Sequence, residues 1–185
     1  SILTLKSAED KTFPGSVVAS LSHPWGEQTI EHGSQDPARN SSYHAVWPRD
    51  LYHVAGGFMA VKDFATAEAI GRRLSTAQLD DLSGEWWFGP RRRAKRGSFP
   101  QNFWVDGKQV HGGYQADETA MPVLLAYRLW KAGITDAKAL WRMAREGAEF
   151  LADFGPWTQT ERWEEAYGVS PNSAAYVIAA LVAAS

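Results

Sequence analysis

Apolar residues recur at three- and four-residue spacing in six stretches of this chain, each cut off by glycine, proline or a polar run. A stripe of that period covers one face of a helix, whereas a half-buried strand needs alternation every second residue, so the pattern restricts the fold to packed helices. Ile2, Leu3, Leu5 and Ala8 mark a short opening helix, closed by a turn over residues 12–15. Residues 16–22 are small and β-branched and read as a strand or an extended segment; residues 27–42 read as a long polar loop of the kind that carries function.

Asp50 is placed to cap the next helix, with Leu51, Val54, Phe58 and Val61 on one face and the Gly56–Gly57 pair permitting close packing. A helix over 64–79, through Ala65, Ala69, Ile70 and Leu74, closes an antiparallel hairpin with it at Lys62–Asp63. Residues 82–113 are loop-like. Helix resumes at Glu118 or Met121 and ends at Gly133, with Pro122 in its first turn and Val123, Leu124, Tyr127 and Trp130 facing inward. Another runs from Asp136 to Gly155, burying Ala139, Leu140, Met143, Ala144, Phe150 and Leu151. The last starts at Ser170–Pro171 and passes through Ala174, Val177, Ile178, Leu181 and Val182. Six helices with little strand make an all-α chain whose unusual residues sit in the loops at one rim.

A chain of 185 residues suits one domain. Its net charge of -2 and pI near 6.2 give no general electrostatic reason to bind nucleic acid or an anionic membrane, so the expected ligand is uncharged. Without cysteine there is no disulfide framework and no thiolate metal site, which leaves the compartment, secreted or cytoplasmic, unread. No basic segment precedes an apolar one at the start, and no apolar run is long enough to span a bilayer, so a soluble chain is expected. Five scattered histidines lack ligand spacing, and no metal is expected.

Two clusters stand apart from the helical scaffold. Glu161-Arg162-Trp163-Glu164-Glu165 crowds three carboxylates, a guanidinium and an indole into five residues. The stretch from Tyr43 to Asp50 (YHAVWPRD) again sets aromatic rings beside an Arg and an Asp at the mouth of a helix. Such residues suit a carbohydrate site: rings lie under the C–H faces of a sugar, while a guanidinium donates to one hydroxyl and a carboxylate accepts from its neighbour. Trp47, Trp104 and Trp163 lie in polar, Gly/Pro-punctuated segments and are the candidate platforms; most other rings are expected in the core. By residue type alone the Glu161 run also suits a solvated helix start with Arg162 as counter-charge, and Asp50 a plain cap.

Four blocks, Ser7 to Gly15 (SAEDKTFPG), Val46 to Tyr52 (VWPRDLY), Gly97 to Gly107 (GSFPQNFWVDG) and Glu161 to Glu165 (ERWEE), resemble in this order the bacterial glucoamylase and glucodextranase family, glycoside hydrolase family 15. The resemblance implies an (α/α)6 barrel of twelve helices, six inner and six outer, with the site in loops at one end. About half of that barrel is expected here, as a single partial domain over 1–185 that starts where the catalytic barrel starts, without the β-sandwich that commonly precedes it in bacterial members.

The resemblance further implies an exo-acting glucan glucohydrolase that releases glucose from non-reducing ends with inversion, one carboxylic acid protonating the glycosidic oxygen while a second carboxylate activates water on the opposite face. Glu164 matches the general acid, and Glu165 a residue that holds substrate hydroxyls. A Glu beside a second carboxylate and an indole suits the raised pKa that an acid needs. Arg49 and Asp50 match the pair gripping the non-reducing glucose, and Tyr43, four residues before Trp47, the tyrosine facing the oxocarbenium-like centre. Glu161 is expected to tune the acid rather than transfer a proton, with Arg162 beside it. Gln115, Asp117 and Glu118 lie in a segment resembling the family's Gly-x-Gln-x-Asp-Glu; they either shape the +1 subsite or cap the helix. At His111 related sequences carry an aromatic ring, a departure that puts the usual stacking contact in doubt.

No motif matches the general base, which in family members lies in later helices. These residues alone are therefore expected to show little hydrolysis and to associate with the rest of the barrel or with themselves through uncovered apolar faces. The expected partner is an α-glucan, not nucleic acid or a membrane. Trp86-Trp87-Phe88 followed by Arg91 to Arg96 departs from the family pattern, and by residue type alone suggests nucleic-acid binding, against which the acidic balance of the chain argues. A transglucosylase of dextrin-to-dextran type, an α,α-trehalase on the same barrel and a glycan-binding fragment without a base stay open, as does the choice between α-1,4 and α-1,6 links. No cofactor is expected; calcium, which some bacterial relatives carry, finds no compact oxygen-ligand loop in the sequence.

Overall fold

The structure, a computed structural model, describes residues 2–21, 43–88, 91–110, 113–136, 138–163 and 166–185. Six helices occupy the expected stretches: α1 (Ile2–Ser7), α2 (Pro48–Ala60), α3 (Phe64–Ala77), α4 (Ala116–Lys131), α5 (Trp141–Phe154) and α6 (Pro171–Ala184). A hairpin of β1 (Glu85–Phe88) and β2 (Arg91–Ala94) stands where the sequence suggested only loop.

Helix α4 is the hub. Ala116 to Val123 form an unbroken buried run, continued by Leu125, Ala126 and Leu129, so this helix is enclosed over most of its circumference. One core joins Leu51, Ala55 and Phe58 of α2 to Ile70 and Leu74 of α3 and to Leu125 and Leu129 of α4. A second packs Ala120 and Val123 of α4 against Phe150, Leu151 and Phe154 of α5 and Val177 and Ala180 of α6, around Tyr114 and Trp86. Burying each large apolar side chain contributes about 1.5–3 kcal/mol. The Gly56–Gly57 pair serves the close packing expected of it: a Cβ on Gly56 would sit 3.3 Å from the Arg128 guanidinium of α4, and one on Gly57 3.3 Å from Leu5 of α1.

Several expectations need correction. Tyr127 and Trp130 do not face inward; they are 37% and 48% exposed, because Leu125, Ala126 and Leu129 take the core direction in that half of α4. Helix α4 starts at Ala116, which places Pro122 in the interior rather than the first turn, where its missing N–H leaves the Glu118 carbonyl without its i+4 donor. Asp136 does not open α5; it accepts from the Lys138 and Ala139 amides at 2.7 and 2.9 Å in a preceding turn, and the helix begins at Trp141. In α6, Val177 and Ala180 turn inward while Ile178 and Val182 are exposed. Asp50 is not the cap of α2. Trp47 holds that position, Pro48 follows at the first helical position, and Asp50 lies in the first turn, where a carboxylate is favoured by the helix dipole.

The hairpin explains the basic run. Its strands pair antiparallel, Glu85 opposite Ala94 and Phe88 opposite Arg91. Trp86 and Arg93 share the inner face: Trp86 is buried with its indole N–H donating to Ser98 Oγ at 2.8 Å, and Arg93 lies over Phe150 and pairs with Asp153 at 3.2 Å. Lys95 sits over the Trp86 ring, Arg91 over Trp157, and Arg96 pairs with Asp80 and Glu146. These cations are spent on packing the hairpin to its surroundings through their stems and charges.

Between helices, extended segments run side by side. Val46 and Phe103 exchange two backbone hydrogen bonds of 2.9 Å, and the Ala19 and Ser20 amides donate to the Ala45 and Tyr43 carbonyls. Residues 16–21 are thus extended, as the sequence indicated, while residue 22 and the expected loop over 27–42 lie outside the described residues. Among the described residues no helix is long and apolar enough to cross a membrane.

Candidate active site

The paired strand-like segments fix the entrance of α2, and with it Tyr43, Trp47, Arg49 and Asp50. Their side chains, with Ala19, Arg162 and Trp163, line an open cleft of about 490 Å³. The two clusters singled out in the sequence, more than a hundred positions apart, therefore share one site. Tyr43 and Trp47 lie against each other with ring centroids 5.8 Å apart and planes tilted by 38°. Trp47 is only 7% exposed, so it presents an edge to the cleft rather than an open platform. Trp163 is 71% exposed, with the Arg162 guanidinium 5.1 Å from its ring centroid.

Behind this wall α2 meets the start of α4. Arg49 Nη1 lies 2.8 Å from Gln115 Oε1, 3.0 Å from Asp117 Oδ2 and 2.9 Å from Glu118 Oε1. The Arg49 amide donates to Glu118 Oε2 at 2.5 Å. Asp117 and Glu118 are completely buried. Burial drives the Glu118 carboxyl well above the usual range; Arg49 opposes this and Asp117 adds to it. Burial likewise raises Asp50, against the pull of Arg49 and His53, and lowers His53, against the pull of Asp50.

The third component is the segment between α5 and α6. Its Gln159 and Thr158 backbone amides donate to the Tyr114 and Gly168 carbonyls, and Thr158 Oγ1 donates to Tyr114 O at 3.0 Å. Gln115 Nε2 reaches Thr160 Oγ1 and the Glu161 carbonyl at 3.4 Å. Glu161 Oε1 accepts from the Trp163 amide at 2.8 Å, bracing the turn that carries Arg162 and Trp163.

Not every candidate residue lines the cleft. Gln115 and Asp117 stand behind Arg49 rather than in the lining, and Trp104 occupies a tight turn closed by the Gly107 amide on its carbonyl. Glu164, Glu165 and His111 lie outside the described residues. Two contributions carried no recognisable signal in the sequence: Ala19, which the extended segment brings to the cleft edge, and Gln159, which braces the loop through its amide. Among the described residues no group of three or more His, Asp or Glu is placed to hold a metal ion.

Paired helices whose loops gather a guanidinium, a carboxylate and indoles into one open cleft have the character of a carbohydrate-active helical toroid. The chain belongs to glycosyl hydrolases family 15, whose model matches residues 1–185. It is 37% identical over all 185 residues to a glucoamylase of Clostridium sp. (strain G0005), of which it spans 23%. It superposes over 99% of its length on a bacterial glucoamylase complexed with acarbose, with a TM-score of 0.75, 36% identity and 23% of that chain covered. A glucoamylase from Saccharomycopsis fibuligera, 14% identical, shares the fold with a TM-score of 0.65 over 99% of this chain and 41% of that one. The architecture is therefore that of the glucoamylase (α/α)6 barrel, of which these residues form a part.

Proposed function

We propose that this chain carries the non-reducing-end glucose site and the general acid of an exo-acting glucan glucohydrolase working with inversion. The observation that carries this reading is the convergence of Arg49 and Asp50 with Arg162 and Trp163 on one cleft, in a chain of family 15. Arg49 has donors and no acceptor, and ionised Asp50 has acceptors and no donor, so together they suit two neighbouring hydroxyls of a terminal glucose. Tyr43 and Trp163 supply the apolar surface against its ring, and the largely buried Trp47 backs Tyr43.

Glu164, one residue beyond Trp163, acts as the acid. Its proton passes to the glycosidic oxygen as the bond from that oxygen to the anomeric carbon breaks. A water attacks the anomeric carbon from the opposite face and gives up its proton to a carboxylate base, and β-glucose leaves. No residue of this chain matches the base, which is assigned to the part of the catalytic barrel these residues do not span. Glu165 holds substrate hydroxyls, and Glu161, bound to the Trp163 amide, sets the turn ahead of the acid.

The test is anomer-resolved proton NMR with maltotriose and with isomaltotriose, using the 185-residue chain alone and within its longest open reading frame. Early β-glucose that is lost in Glu164→Gln supports the assignment, and the faster trisaccharide identifies the linkage. Early α-glucose, or turnover unchanged by Glu164→Gln, overturns it.

A further inference from the structure

Arg49 presents a counting problem. Its Nη1 carries two hydrogens but faces three acceptors at 2.8–3.0 Å. Gln115 and Asp117 take both hydrogen bonds, which leaves Glu118 Oε1, a fully buried atom, without a donor although it lies 2.9 Å from Nη1. Asp117 Oδ1 is buried and undonated as well. One guanidinium thus stands against two buried carboxyl groups, and Asp50 of α2 adds a third acid nearby. An unpaired buried charge is among the costliest arrangements in a protein and is relieved by taking up a proton.

We propose that Glu118 is the positioning residue for Arg49, held as a neutral acid: one oxygen fixes the Arg49 backbone amide at the start of α2 while the carboxyl packs against Nη1, so that Arg49 is held where it lines the cleft. Asp117 is then the ionised partner of the guanidinium, and the buried cluster is neutral. Arg49 both lines the cleft and has its Nη1 committed behind it, so its direction is set by the cluster and not by the sugar. Burial pushing the Glu118 carboxyl upward agrees with this protonation. That Arg49 meets a sugar hydroxyl rests on the function proposed above; that Glu118 fixes Arg49 does not.

The experiment combines arginine side-chain nitrogen NMR with maltotriose titration of the parent chain, Glu118→Gln and Glu118→Ala. The parent is expected to show slow rotation of the Arg49 guanidinium. Glu118→Gln, neutral and of the same shape, keeps it and binds maltotriose within about twofold of the parent, whereas Glu118→Ala loses the bond to the Arg49 amide, frees the guanidinium and binds roughly tenfold more weakly, the scale of one net hydrogen bond. Carbon NMR of the Glu118 carboxyl over a pH series is expected to report a protonated form that persists above the ordinary carboxylate range. Free rotation in the parent, a Glu118 that ionises within the ordinary carboxylate range, or an Arg49 unchanged in Glu118→Ala overturns the proposal. If Glu118→Ala does not fold, the parent and Glu118→Gln spectra still decide it. A pinned Arg49 in a chain that binds no maltotriose would sink the functional reading and leave the positioning role standing.

Discussion

Gln159 Nε2 donates to the Trp87 carbonyl at 3.1 Å, while Oε1 of the same side chain accepts from the Tyr114 amide at 2.8 Å. One residue therefore ties the β1–β2 hairpin, the entrance of α4 and the loop leading to Arg162 and Trp163. The hairpin is thereby joined to a wall of the site and is not an independent appendage.

Gln159→Ala is expected to leave the Tyr114 amide, in a fully buried residue, without its side-chain acceptor, at a cost of about 1–3 kcal/mol. Gln159→Glu keeps the acceptor and loses only the donor to Trp87, so it should cost less. Thermal unfolding with hydrogen exchange resolved over 85–94 and 158–163 checks both. Equal losses in the two variants would show that the Tyr114 bond is not the one that matters.

Helix positions were legible because the stripe of Leu51, Val54 and Phe58, and those of α3, α5 and α6, follow the helical period. The inner face of α4 was not, since a helix enclosed on most sides has no single stripe and Tyr127 and Trp130 mimic one. The hairpin was hidden because its inner positions are filled by Arg93 and Trp86, a cation and a ring that pack through stem and face, where strand patterns predict alternating aliphatics. Of the site, Arg49 and Asp50 were legible from motif. The three-acceptor cluster on Arg49 was not, because Gln115, Asp117 and Glu118 read equally well as helix caps until α2 is placed against them.

Arg49→Met is expected to destabilise the chain by about 3–5 kcal/mol at neutral pH, since it removes the cation facing Asp117 and Glu118. The loss should shrink toward acid pH, where a buried carboxylate left without its cation is relieved by taking up a proton. Urea unfolding of parent and variant at neutral and mildly acidic pH measures the difference. A cost that does not change with pH would mean that the cluster is already uncharged without Arg49.

The raised Glu118 carboxyl gives stability a direction in pH. Its folded value lies above the ordinary 4.5, so unfolding releases a proton. The stability that this group contributes is full below about 4.5 and is lost as pH climbs through the folded value. Glu118→Gln cannot ionise and keeps that stability, so its advantage over the parent should grow as pH rises above the ordinary value. Denaturation midpoints across that range check the sign; an advantage that falls with rising pH would place an ionised, stabilising Glu118 in the folded chain.

Asp63 caps α3, accepting from the Thr66 amide at 3.2 Å and from its hydroxyl at 2.8 Å, and these bonds lower its carboxyl. Asp63→Ala should cost about 1 kcal/mol and Asp63→Asn much less. The parent's share of this stability is present above the ordinary 3.8 and fades as pH falls through the lowered value. Melting temperatures of the three chains at neutral and acid pH test it, and an Asp63→Ala chain as stable as the parent at neutral pH would rule the cap out as a contributor.

Helices α4, α5 and α6 frame an apolar groove of about 180 Å³ lined by Val123, Tyr127, Trp130, Leu140 and Trp141, with Trp130 and Trp141 largely open to solvent. Trp and Tyr are, with Arg, the side chains that most often dominate association energy, and a continuous apolar patch that carries them marks a contact surface. On their own, without the rest of the barrel, these residues are therefore expected to self-associate in a concentration-dependent way through this groove. Trp130→Ser combined with Trp141→Ser should raise the dissociation constant roughly tenfold or more, the scale of losing two interface aromatics. Helix content should stay unchanged, since both rings point away from the two cores. Sedimentation velocity over a concentration series reads the equilibrium directly, and an association that survives the double substitution would move the contact surface elsewhere on the molecule.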